Sequence, residues 1–129
     1  MKLNDFTMTL LACVQHKAKV VIDKSRLPQV LTASERVEPL AVQRALEATR
    51  DAAGIPNNMQ FFNPKYPAAV AGNLIHIAEQ RRQDLGNKIG DEDAFYGDIV
   101  ATFFFALTNP DAPTVIGHVQ TASPFFVGQ

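Results

Sequence analysis

Apolar residues recur at helical spacing over three stretches of this 129-residue chain. In the first, SERVEPLAVQRALEATRDAAG, Val42, Ala45, Leu46, Thr49, Ala52 and Ala53 form one stripe, and Arg44, Glu47 and Arg50 take the other side. Ser34 is the candidate N-cap, with Pro39 tolerated in the first turn. Gly54 followed by Pro56 stops the helix, because glycine accepts a left-handed cap and proline cannot continue. The second stretch, PAAVAGNLIHIAEQRRQDLG, starts with Pro67 at the first helical position and ends at Gly86. Val70, Leu74, Ile77, Ala78 and Leu85 share a face, and Arg81 and Arg82 favour the dipole in the last turns. Asn73, His76, Glu79, Gln80 and Gln83 are assigned to the solvated side, and Gly72 to close packing against a neighbour.

The third stretch, DEDAFYGDIVATFFFALTNP, opens with Asp91, Glu92 and Asp93 as cap and first-turn charge and closes at Asn109-Pro110. Phe95, Ile99, Phe103 and Ala106 make one row, Tyr96, Val100 and Leu107 the next, and Phe104 and Phe105 carry the apolar surface most of the way round. A helix apolar on nearly every side is a central one. Asp98 is expected at its one solvated edge.

The N-terminal quarter fits two periods. Leu3, Phe6, Leu10, Cys13 and Val14 lie at helical spacing, with Asn4 or Asp5 as cap, whereas Phe6, Met8, Leu10, Ala12 and Val14 alternate as in a strand. The helix is favoured over residues 5–16, with Val20-Val21-Ile22 either extended or continuing it. Near the other end TVIGHVQT, β-branched and bounded by Pro113 and Pro124, reads as a strand. The expected fold is mainly α: a small single-domain bundle of about four helices around the Phe-rich helix, with a short extended C-terminal segment. Residues 1–129 form one domain in this reading, and 110–129 are its extended arm.

Composition narrows the partners. With 47% hydrophobic and 19% charged residues the chain can build a core without metals or disulfides, and its one cysteine forms no intrachain bridge. A net charge of −1 gives no basic footprint for nucleic acid; Lys17, Lys19, Lys24 and Arg26 are interrupted by Asp23 and followed by Glu35 and Glu38. The longest apolar stretch, Ile99 to Leu107, is far short of the ~20 residues of a membrane span. Asp5 and the lack of a small-residue cleavage site argue against a signal peptide. A cytoplasmic protein, or a virion component assembled in the cytoplasm, is expected.

No constellation of side chains stands out as chemistry. His16, His76 and His118 lie in no metal spacing, and His76 with Glu79 lacks further ligands. Cys13 is read as a small buried hydrophobe, although His16 lies one turn on. The acids at 91–93 are explained by capping, and they would repel an anion at the Gly86–Gly90 loop. No catalytic residue, metal or cofactor is assigned.

Two apolar segments outside the helices remain. IPNNMQFFNPKYP carries Met59, Phe61, Phe62 and Tyr66 among asparagines and prolines, and either plugs the core from outside or presents contact area. ASPFFVGQ places Phe125, Phe126 and Val127 where chains usually fray. Pro124 favours extended backbone, so the two phenylalanines face opposite ways, as in an arm seated between two surfaces. Met59, Phe61, Phe62, Tyr66, Phe125, Phe126 and Val127 are therefore the candidate partner-binding residues. The expected function is a non-enzymatic interaction or assembly protein, a homo-oligomer or part of a larger assembly such as a phage head or tail accessory subunit. The alternative is a small-ligand binder or enzyme with an inter-helix pocket, using His76, Glu79 or His118.

Overall fold

The three helical stripes and the ambiguous N-terminal one all fold as helices in a computed structural model, which describes residues 1–27, 35–86 and 89–116. The helices are α1 (Leu3–Ala18), α2 (Pro39–Ala52), α3 (Pro67–Leu85) and α4 (Glu92–Thr108), with a single 3-10 turn at Lys24–Arg26. No strand occurs among the described residues; the one ladder contact is an isolated antiparallel bridge between Lys2 and Arg36.

Helix α1 is longer than its stripe suggested and starts differently. Lys2 is its N-cap and makes no side-chain cap bond. The Leu3 N–H instead donates to the Glu35 carbonyl at 2.6 Å, and the Val37 N–H donates to the Met1 carbonyl. An orphan donor of the first turn is thus met by a distant segment rather than by Asn4 or Asp5. At the other end Lys19 takes the left-handed conformation, φ 57°, and the helix stops, with Val21 exposed and Ile22 buried.

Helix α2 begins at Pro39 with Glu38 as N-cap, later than a start at Ser34, which lies outside the described residues. Proline at the first position loses no hydrogen bond, since that N–H has no partner within the helix. Pro67 opens α3 in the same way. Helix α4 begins with a side-chain cap, the Asp91 carboxylate accepting from the Ala94 N–H at 3.1 Å.

Helix α1 packs chiefly along α3, and α2 along α4. Every residue of α4 from Phe95 to Phe104 is buried. The ring of Phe104 meets Phe103 edge-on at 5.3 Å and Phe6 of α1 at 6.5 Å, so one side chain ties both helix pairs together. Asp98 is not at a solvated edge. It is fully buried and engaged by its surroundings, because the apolar surface of α4 is covered on all sides. After Thr108 the chain turns and doubles back, and the Thr102 hydroxyl donates to the Val115 carbonyl at 3.4 Å. Ile116 is fully buried; the rest of the strand-like segment lies outside the described residues.

Candidate functional site: an aromatic loop clamped to the bundle

The loop between α2 and α3 is divided between core and solvent. Its inner half closes the core: Ile55 is buried, and Met59 and Phe61 pack half-buried against the hydrophobic cluster. Its outer half faces away, with Phe62 65% and Tyr66 62% exposed. Phe61 thus turns in and Phe62 turns out.

Two side chains hold this arrangement. Asn73 of α3 is 1% exposed, and its amide grips one residue of the loop from both ends. The Phe62 N–H donates to Asn73 Oδ1 at 2.7 Å, and Asn73 Nδ2 donates to the Phe62 carbonyl at 2.9 Å. A side-chain amide thereby does for the loop what a neighbouring strand would do. Gly72 lies beneath: a Cβ there would stand 3.6 Å from the Phe62 ring. The second side chain is Arg50 of α2, whose guanidinium lies 5.4 Å from the Phe61 ring centroid while its Nε donates to Asp51 Oδ1 at 3.2 Å. Arg50 is 8% exposed, not solvated as its position opposite the stripe implied. Its stem is long enough to cover apolar surface while its head keeps a carboxylate and a ring face.

Asn73 likewise leaves the polar side to which the sequence assigned it. It falls between Val70, Leu74 and Ile77, all buried, on the stripe itself. His76 is half-buried and Glu79 exposed. The signal for Asn73 was therefore present, a polar residue at a stripe position, but its partner eleven residues away was not visible in the pattern.

Beside Tyr66 a groove of about 290 Å³ runs among the starts of α1, α2 and α3, lined by Phe6, Val37, Pro39 and Val42 with Lys65 and Tyr66 at its rim. The Lys65 ammonium sits 5.5 Å from the Tyr66 ring centroid. A second groove of about 300 Å³ lies between α2 and the end of α4. Neither groove is lined by His76 or Glu79, and His118 lies outside the described residues. Among the described residues no three His, Cys, Asp or Glu side chains gather where they could hold a metal ion, and no helix is long and apolar enough to cross a membrane. Cys13 is half-buried against the core and His16 exposed.

An ion pair sits at the joint of α3 and α4. Hydrogen bonds to the Glu92 carboxylate first, and then to Tyr96, hold the Arg82 guanidinium above its ordinary value. This pair ties two helix ends and faces solvent. Of the predicted contact residues, Phe62 and Tyr66 are exposed and Met59 and Phe61 pack half-buried against the core; Phe125, Phe126 and Val127 lie outside the described residues. Compared with protein families, curated proteins and solved structures, the chain shows no match.

Proposed function

We propose that this chain is a non-enzymatic interaction protein that binds further copies of itself through the outer half of the 55–66 loop. The observation that carries this reading is the Asn73 clamp. A buried amide spends both of its hydrogen-bonding ends on fixing the backbone of Phe62, whose ring stays exposed. Exposed aromatic side chains on backbone fixed in advance make good anchors, because little ordering entropy is lost when they are buried. Tyr66, four residues on, is 62% exposed and lines a groove with an apolar floor. In its concrete form the proposal is an assembly subunit, such as a head or tail accessory protein of a phage, with the C-terminal arm as its second contact.

The test is the double variant Phe62→Ser/Tyr66→Ser, compared with the unmodified chain by sedimentation velocity. Both side chains are mainly exposed, so the fold should survive. The proposal expects self-association of the unmodified chain and its loss in the variant. Equal association of the two would refute it.

A further inference from the structure

The groove among the starts of α1, α2 and α3 has an apolar floor, and apolar side chains stand exposed around it. Tyr66 lines it at 62% exposure, and Leu40, the residue after the groove-lining Pro39, is 60% exposed. In its own copy Leu40 lines the other groove, between α2 and the end of α4, so it stands on the ridge that divides the two. The charges around this hollow are sorted by sign. Lys65 forms the rim on the α3 side, its ammonium against the Tyr66 ring. On the α2 side Val37 and Pro39 line the hollow, and the exposed Glu38 lies between them in sequence. Neither Lys65 nor Glu38 forms an ion pair among the described residues. Lys2, Glu35 and Arg36 are exposed as well but line neither groove.

We propose that this surface docks on the same surface of a second copy about a two-fold axis, with Lys65 of each copy against Glu38 of the other and Leu40 of each entering the other's groove. The inference rests on the self-association proposed above and names its partner surface and symmetry. A two-fold contact places one patch on both sides, so the patch has to complement itself. Charges of a single sign would repel their own copies; a cation on one flank and an acid on the other meet their opposites when the patch is turned upon itself. Contact between Lys65 and Glu38 of the second copy also brings Leu40 of that copy, two residues further on, to the mouth of the groove. There an exposed leucine of each copy is buried on an apolar floor, which supplies the affinity. Exposed ion pairs contribute little affinity of their own and act chiefly on the choice of partner and its orientation.

Charge reversal in the full chain tests this, with Lys65→Glu and Glu38→Lys made separately and together. Both positions are exposed, so each variant should keep its helical circular dichroism. Light scattering over a concentration series should show each single variant weakened at least ~10-fold in self-association, since two contacts per pair of copies turn repulsive. A one-to-one mixture of the single variants should associate as the unmodified chain does, because every acid again meets a lysine. The variant carrying both reversals should do so alone, which a merely misfolded single variant could not explain. Failure of both the mixture and the double reversal to recover association would overturn the two-fold pairing. Unchanged association of the single variants, with Phe62→Ser/Tyr66→Ser still disruptive, would overturn this docking and leave the loop standing. A monomeric unmodified chain would overturn both.

Discussion

Replacing Asn73 by alanine should detach the aromatic loop from α3 while leaving the four helices in place. The side chain is 1% exposed and makes two good hydrogen bonds to the Phe62 backbone, at 2.7 and 2.9 Å. Each such bond contributes about 0.5–1.5 kcal/mol net, and a buried group left without a partner costs about 1–3 kcal/mol. Water can reach Phe62, whose side chain is 65% exposed, so the upper end of that range does not apply. About 2–3 kcal/mol is the expected loss. For a domain of this size that lowers the melting temperature by roughly 10 °C. Urea unfolding followed by circular dichroism gives the magnitude, and hydrogen exchange at the Phe62 amide gives the location. Phe62→Ala is the control, since it keeps the clamp and removes only a mostly exposed ring resting on Gly72. It should cost under ~1 kcal/mol. The order should invert for self-association, where Phe62→Ala does the greater harm. A loss under ~0.5 kcal/mol for Asn73→Ala, with the Phe62 amide still protected, would refute the clamp.

Phe103 is fully buried in α4, and Phe103→Ala should cost about 3–5 kcal/mol in urea unfolding, enough to threaten the domain. Arg82→Ala should cost under ~1 kcal/mol and become neutral in high salt, because the pair with Glu92 is nearly half exposed on both sides. The Arg82 pKa is raised on folding, so its contribution is fully present below the unfolded value and is lost only as pH climbs through the folded one; a stability profile through mildly alkaline pH should show no step from this group. His76→Ala should leave fold and association unchanged by circular dichroism and sedimentation. Stoichiometric zinc in the unmodified protein, lost in that variant, would assign His76 a metal.

The elements that could be read in the sequence were those governed by neighbours along the chain. The stripes of α2, α3 and α4, the prolines that open α2 and α3 and the Asp91 cap each act within a turn or two, and each has its predicted role. What could not be read depended on partners distant in sequence. The first donor of α1 is met by Glu35, so the cap residues near position 4 were beside the point. Asn73, Arg50 and Asp98 were assigned to water because they are polar, yet all three are buried. Asn73 finds a loop peptide and Arg50 a carboxylate and a ring face, contacts that periodicity does not encode. Their positions did carry a clue, since Asn73 and Asp98 fall among buried stripe residues where a solvated side chain has no room.

The central claim, that this chain assembles with itself through a loop fixed in place for that purpose, is tested most directly by the mass of the unmodified protein. Light scattering coupled to size exclusion, over a hundredfold range of loading concentration, should give at least twice the monomer mass at the high end and a decline toward the monomer on dilution. A monomer mass that stays constant over the whole range would contradict the account.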